Sequence, residues 1–380
     1  ILLVGGAFGV LNRTGAIVAF ITWMAGRVGR SHARFAVIPI LMFTFSLGGA
    51  IFGMSEETLV FVLVTIPLAV ALGFDTMTGI AIPFVGSQVG FAAAFINPFT
   101  LGIAKGIAEQ PFDEGKGYRM LCWFILTTFC TGMVLAHAYR VAHSPSASPT
   151  PALDERWRKK VSEHPVEAGG LSRRHLLVLL AFAGSMVMLA VGALRWDWYI
   201  VELSGLFLGM ALACGLVSGL SGGEMAEAFV DGAKDLAAAA LLVAFSRAIL
   251  ILAEDGQIID TLLHGLASVL GTLEPWLIAQ AMFLVHTFIN FFVPSGSGQA
   301  ALTMPLMVPL ADLLHVHRET AILTFQFGDG FTNLIIPTSP VVMGVVAVAG
   351  MDYGHWFSWM GKRLVLIYLL AMLLVAFIPY

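Results

Sequence analysis

Four stretches set polar or acidic residues inside long apolar runs, and their side chains are of the kinds that bind a small solute or an ion. Gly53 to Phe61 reads GMSEETLVF, with Ser55, Glu56, Glu57 and Thr58; Pro294 to Leu302 reads PSGSGQAAL, with Ser295, Ser297 and Gln299. Val85 to Gly102 holds Ser87, Gln88 and Asn97 among Gly86, Gly90 and Pro98. Phe327 to Gly344 holds Asp329, Thr332, Asn333, Thr338 and Ser339 among Gly328, Gly330, Pro337 and Pro340. An ionised carboxylate at membrane depth needs a partner or a cation. Glu57 and Asp329 therefore suit a coupling proton, a sodium ion or the amino group of a substrate. The structural alternatives are a solvated loop mouth for Glu56 and Glu57, and an internal ion pair with Arg247 for Asp329. Arg247 itself fits either bracing between helices or binding of a substrate carboxylate.

A regular helix cannot run through the second pair of stretches, because each proline removes a backbone donor and crowds the preceding turn. Backbone groups freed in this way survive in a membrane only when buried in protein or facing a polar cavity. Both stretches read as broken helices, whose half-helix ends offer N–H groups to anions and carbonyls to cations. The first pair reads as polar tips of re-entrant hairpins, at about 53–73 and 294–314, each tip followed by an apolar limb, a proline and a second limb. The structural alternative for each is a kinked helix with its hydroxyls bonded to its own backbone.

Composition makes the membrane setting plain. Hydrophobic residues are 58% and charged residues 12% of 380, with a mean hydropathy of +0.88, far from the roughly 25% charged of a soluble domain. A formal charge of -4 gives no electrostatic support for nucleic-acid binding. Apolar windows of about the 20 residues needed to span a bilayer recur at about 1–26, 34–52, 77–104, 118–141, 174–194, 197–220, 235–253, 258–293 (with a break near Thr272 to Pro275), 320–349 and 355–379. The chain opens on Ile-Leu-Leu-Val inside an apolar run, from which we expect a further membrane helix upstream.

The one long hydrophilic stretch, 139–174, starts Ser/Pro/Ala-rich as a flexible linker would. Its arginines and lysines place it in the cytoplasm. It divides the chain into a first membrane repeat, 1–138, and a second, 175–380, with broken helices at about 77–104 and 320–349. Shifting one half by 242 residues aligns Ser55 with Ser297, Pro67 with Pro309, Gly86 with Gly328 and Pro98 with Pro340. The matches fall on helix-breaking residues, the pattern of two repeats with discontinuous helices at equivalent places.

Enzyme chemistry finds little footing. HExxH and Walker motifs are absent from the sequence, and the Ser-rich tips come without a positioned base. His315 and His317 read as a hairpin exit loop, His264 and His286 as interior histidines, and Cys122, Cys130 and Cys214 as buried hydrophobes. No cofactor is expected.

The stretches GMSEET, GSQVGFAAAFINPFTLGIAKGIAE, EDGQIIDT, PSGSGQAALTMP and GDGFTNLIIPTSP resemble the YfcC/DcuC-type C4-dicarboxylate anaerobic carrier family of the ion transporter superfamily, over essentially the whole chain. The resemblance implies an all-α polytopic membrane protein of two inverted repeats, each with a re-entrant hairpin and a broken transmembrane helix. It also implies elevator-like movement of the site and a scaffold region that often forms a homodimer. It puts Ser55, Glu57, Thr58, Ser87, Gln88 and Asn97 of the first half, and Ser295, Ser297, Gln299, Asp329, Thr332 and Asn333 of the second, around the substrate and its coupling ion, Na+ or H+. The tips depart from the Ser-Asn-Thr pattern of related sodium-coupled dicarboxylate carriers. Members of the family also include exchangers of basic amino acids such as arginine and ornithine. The expectation is a secondary active transporter, symporter or antiporter, of an amino acid or a C4-dicarboxylate, in a bacterial inner (plasma) membrane. An ion channel or a membrane-embedded enzyme is the alternative, and the lipid bilayer is the expected surrounding.

Overall fold

The computed structural model describes residues 2–20, 31–163, 171–196, 200–235 and 275–378, with positions 23, 198, 237, 241, 248, 251, 252, 255, 256, 261 and 265. Among these residues the regular structure is helical throughout. α1 is Leu2–Arg13; α2 is Val37–Phe52, extended at its start by the 3-10 turn His32–Ala36; α3 is Thr58–Ala71 and α4 is Thr76–Ala92. A π turn, Pro98–Gly102, leads into α5, Ile103–Ile107, and α6 is Lys116–His143. α7, Pro151–Glu163, precedes α8, Arg173–Arg195, α9, Ile200–Ser218, and α10, Gly222–Asp235. The chain continues with α11, Pro275–Asn290, α12, Gly296–Leu313, α13, Arg318–Thr332, α14, Pro340–Ala349, and α15, Tyr353–Ala376. Three of these segments, His32–Phe52, Lys116–His143 and Tyr353–Ala376, are long and apolar enough to cross a membrane.

The elements from α2 to α6 recur in the order α11 to α15. Their boundaries keep the 242-residue offset: Ala71 and Leu313 end a limb, Thr76 and Arg318 start the helix that follows, Pro98 and Pro340 reopen a helix after a break, and Ile107 and Ala349 close it. Packing is reciprocal. α4 lies against α2 and α3 as α13 lies against α11 and α12, while α4 and α13 meet each other at the centre. Each post-break helix then crosses to the other half, α5 onto α12 and α14 onto α3. α1, α8, α9 and α10 form a separate group that touches the rest lightly, through α1 on α3 and α8 on α2.

Local chemistry fixes these boundaries. Asp75 caps α4, accepting from Thr78 N at 2.9 Å and Thr78 Oγ1 at 2.5 Å, as a short acceptor before a helix should. Pro98 and Pro340 stand at the first turn of their helices, where the missing N–H costs nothing. α2 and α4 approach backbone to backbone: a Cβ on Gly49 would lie 2.6 Å from Phe91 N, and one on Gly90 2.6 Å from Ser46 C, a small-residue contact of the kind membrane helices use.

Two expectations are corrected. Residues 58–71 and 296–313 are single helices that carry Pro67, and Pro305 with Pro309, inside them. The limbs around each polar tip are thus α2 with α3 and α11 with α12, so the helix–tip–helix units begin well before residues 53 and 294. A proline kinks a helix whose other bonds and packing hold, so proline alone did not mark the turn. The apolar stretch at 1–26 is interrupted where α1 ends at Arg13 and Gly15 takes φ +71°. The expected helix at 235–253, and most of 258–293 ahead of Pro275, lie outside the described residues apart from isolated positions, as does Arg247.

The Ser/Pro/Ala stretch is a docked structure. Asp154 of α7 is buried and accepts from Thr76 N at 2.7 Å and Ser148 Oγ at 2.6 Å. Trp157 is buried and donates from Nε1 to Ala349 O at 3.2 Å. α7 therefore fastens the start of α4 and the end of α14 together.

Candidate functional site

The first tip turns at Gly53, φ +74°, at the end of α2. Its Ser55 accepts from Gln88 Nε2 at 2.7 Å, which carries the tip onto α4 one turn before that helix ends. Thr58 Oγ1 donates to Ser55 O at 2.5 Å, and Ser55 N donates to Glu57 Oε2 at 3.1 Å, so the tip is internally braced. α4 stops at Ala92. The strand of residues that follows is held by Ile96 N and Asn97 N, both donating to Ala50 O at 3.3 and 3.2 Å. Asn97 Oδ1 accepts from Phe99 N at 2.9 Å and starts the next helix. A Cβ on Gly53 would lie 2.9 Å from Asn97 Oδ1, so tip and break are in contact.

The second tip is built on the same plan with other atoms. Ser295 caps α12, accepting from Gly298 N at 3.3 Å, and Ser297 is half-buried on the first turn. Gln299 Nε2 donates to His286 O at 2.9 Å, tying the two limbs. Gly296 faces both halves at once: a Cβ there would lie 2.5 Å from Thr100 Cγ2 and 2.8 Å from Asp329 Oδ2. Asp329 is fully buried, its Oδ1 accepting from Asn333 Nδ2 at 3.2 Å. Its backbone carbonyl accepts from Asn333 Nδ2 at 3.0 Å and Asn290 Nδ2 at 2.9 Å. α13 crosses α4 beside it, where a Cβ on Gly330 would lie 2.5 Å from Ala92 Cα.

Both tips and both breaks thus come to one place. Glu56 is solvent-exposed on the first tip. It lies within electrostatic reach of both Glu57 and Asp329. None of the three carboxylates forms an ion pair with a described residue. Buried polar atoms are nearly always hydrogen-bonded, yet Gln88 Oε1, Asn97 Nδ2, Thr100 Oγ1, Gln299 Oε1, Asp329 Oδ2 and Asn333 Oδ1 have no partner among the described residues. Unpaired donors and acceptors of this kind are what a bound solute, ion or water would satisfy.

Of the residues singled out from sequence, Ser55, Glu57, Thr58, Gln88, Asn97, Ser295, Ser297, Gln299, Asp329 and Asn333 lie on the tips, at the breaks or in their immediate bracing. Ser87 and Thr332 are turned elsewhere. Ser87 Oγ donates to Phe84 O of its own helix at 3.2 Å. Thr332 Oγ1 donates to Gly328 O at 2.5 Å and meets Tyr368 Oη at 2.6 Å on α15. Sequence reading passed over Asn290, Thr100 and Gln326, whose Nε2 donates to Phe91 O at 3.3 Å. For Asn290 and Thr100 the available signal was an isolated polar residue within a turn of a tip or break.

Two helices broken at equivalent places, each with a polar tip brought up to its break, form an arrangement that membrane transporters use. The chain belongs to the DcuC family, the C4-dicarboxylate anaerobic carriers, whose model matches residues 1–379; this is a transporter family and not an enzyme family. The chain is 36% identical over 385 aligned residues, covering 98% of it and 75% of the relative, to a protein of Escherichia coli (strain K12) named "Putative basic amino acid antiporter YfcC". It is 27% identical to an uncharacterized protein of Haemophilus influenzae, over 94% of this chain and 70% of that one. Among solved structures, the YdaH transporter of Alcanivorax borkumensis superposes with TM-score 0.49 at 19% identity, covering 99% of this chain and 83% of that chain. MtrF of Neisseria gonorrhoeae, from a class of antimetabolite efflux pumps, gives 0.49 at 16%, covering 99% and 79%.

Proposed function

We propose that the protein is a secondary active antiporter of basic amino acids, of the arginine and ornithine type. One observation carries the reading: Glu56, Glu57 and Asp329 gather where tips and breaks meet, without a lysine or arginine paired to them among the described residues. Three acids in a low-dielectric cleft repel a dianion and attract a cation, so the amino and guanidinium groups of a basic amino acid fit where a C4-dicarboxylate does not. The half-helix starts at Pro98 and Pro340 supply N–H groups for the one carboxylate such a substrate also carries. The name of the Escherichia coli relative supports the same direction.

In this reading the site residues are the tip and break groups named above. Asp329 holds the cationic end of the substrate, or a coupling proton or sodium ion in its absence. The two halves are inverted repeats with re-entrant hairpins, and the group of α1, α8, α9 and α10 is the scaffold, the face through which a homodimer would form, past which the rest moves. The setting is the inner membrane of a bacterium. A thermal-shift screen of the purified protein tests the substrate class: arginine, lysine and ornithine raise Tm, succinate and fumarate do not, and Asp329→Asn abolishes the arginine shift. Stabilisation by dicarboxylates alone, unchanged in Asp329→Asn, overturns the assignment.

A further inference from the structure

Outside the site, α15 is bonded to the second break on one side and to the first half on the other. Its Tyr353 Oη donates to Ile335 O, and its Trp356 Nε1 to Leu334 O at 2.8 Å. Both carbonyls lie just past Asn333, where α13 has ended, and Tyr368 Oη meets Thr332 Oγ1 at 2.6 Å. Three side chains of one helix thus hold the groups around the break. Trp356 packs on Trp359 with ring centroids 5.5 Å apart, and Trp359 Nε1 donates to Nδ1 of His137 on α6 at 3.2 Å. His137 is buried, and its Nε2 lies 2.8 Å from Oδ2 of Asp75, whose other oxygen caps α4. An indole nitrogen only donates, so Nδ1 carries no proton, Nε2–H donates to Asp75, and the ring is neutral. Charged groups about the ring include Asp75 on α4, Arg363 on α15, whose guanidinium carbon is 3.8 Å from the Trp359 centroid, and Arg140 on α6, within electrostatic reach of Arg363. Asp154 of α7 lies one residue beyond Asp75, on Thr76 N, and Arg34 ahead of α2 is turned to Leu72 O.

We propose that His137 is a positioning residue for the second break, and that a proton taken up at its Nδ1 releases Trp359 and with it the hold of α15 on Leu334 and Ile335. The proposal rests on the reading of that break as part of the substrate site, and it places a proton-responsive group away from the tip carboxylates. Nδ1 has one lone pair, which takes either the indole N–H or a proton. Asp75 favours the charged ring and Trp359 the neutral one, so proton uptake and docking of α15 compete for a single nitrogen. The sign follows from that competition. At high pH Nδ1 accepts from Trp359 and α15 is docked; as pH falls the ring gains its second proton, the Trp359 bond is lost, and Asp75 keeps the imidazolium by an ion pair. The cap on α4 is retained in both states, which directs the change to α15.

The full chain, labelled with nitrogen-15 at its tryptophan indoles, is followed by NMR in detergent micelles without substrate from about pH 8 down to about pH 5, the span over which histidine changes charge. Trp359→Phe and Trp356→Phe identify the two cross-peaks, and His137→Gln keeps one donor and one acceptor without titrating. In the parent the Trp359 peak should move on acidification and the Trp356 peak with it; in His137→Gln both should stay. A stationary Trp359 peak in the parent, or a movement retained in His137→Gln, overturns the proton at His137. Movement of Trp359 that leaves Trp356 in place overturns the link to the break. Isothermal titration of arginine into the same samples gives the functional readout. Over that pH span affinity should fall at least about fivefold more in the parent than in His137→Gln, the fall common to both belonging to the tip carboxylates, and equal falls overturn the positioning role. If the parent binds no arginine at either limit, the substrate assignment fails, while the indole spectra still decide the state of His137. If His137→Gln does not fold, Trp359→Phe takes its place: its affinity should be reduced at the upper limit and fall as gently as expected for His137→Gln, and a fall as steep as the parent's overturns the proposal.

Discussion

At the scale of single residues, the site divides into side chains aimed at the tips and side chains spent on their own helices. Asp329 belongs to the first kind: one carboxylate oxygen is bonded to Asn333 and the other has no partner among the described residues. Asp329→Asn keeps the shape and removes the charge, so it should weaken basic amino-acid binding at least about tenfold, roughly 1.4 kcal/mol, with little change in Tm without substrate. Isothermal titration checks this. Ser87→Ala is the contrast: its hydroxyl returns to Phe84 O, and affinity should stay within about twofold of the parent in the same titration. Both residues looked alike in sequence, a polar group beside a glycine. What separated them is side-chain direction, because a helical serine can always satisfy itself on the carbonyl three or four residues back, and spacing does not say whether it does.

At the scale of elements, the breaks were legible and the limbs were not. Pro98 and Pro340 announced where α4 and α13 would end, because a proline preceded by a polar residue both stops one helix and opens the next. Pro67, Pro305 and Pro309 carry the same residue type in a helix that continues, so the limb boundaries had to come from packing. Gly90 shows how tight that packing is. Gly90→Ala places a methyl against the Ser46 backbone and should cost on the order of 1–3 kcal/mol, seen as a lower Tm and reduced exchange together. The docked α7 was hidden for another reason: its anchors, Asp154 and Trp157, are single residues in a segment of linker composition. Asp154→Ala should cost about 0.5–2 kcal/mol by loss of the cap on Thr76, with Asp154→Asn recovering part of the Tm.

At the scale of the whole molecule, the two halves are joined by more than the site. Glu319 at the start of α13 is buried between Lys105 of α5 and Arg119 of α6, paired to Lys105 Nζ and, at 3.3 Å, to Arg119 Nη2. Lys105 also donates to Pro111 O and Glu114 O at 3.0 and 2.6 Å. Glu319→Gln removes the buried charge that Lys105 and Arg119 share and should cost about 3–5 kcal/mol, read as a Tm loss well beyond that of Asp329→Asn. This clasp was not visible in sequence, since its members are 200 and 214 residues apart. The offset between the halves was visible, because glycines and prolines survive at equivalent places even where the side chains between them have diverged, and it matches the helix boundaries. The halves differ most at their tips, two carboxylates on the first and none on the second, and that asymmetry underlies the proposed preference for a cation. Countertransport in proteoliposomes tests it most directly. Vesicles preloaded with ornithine should accelerate uptake of labelled arginine severalfold over empty or succinate-loaded vesicles, and Asp329→Asn should abolish the acceleration; acceleration of labelled succinate by internal succinate, with no response of arginine to internal ornithine, would contradict it.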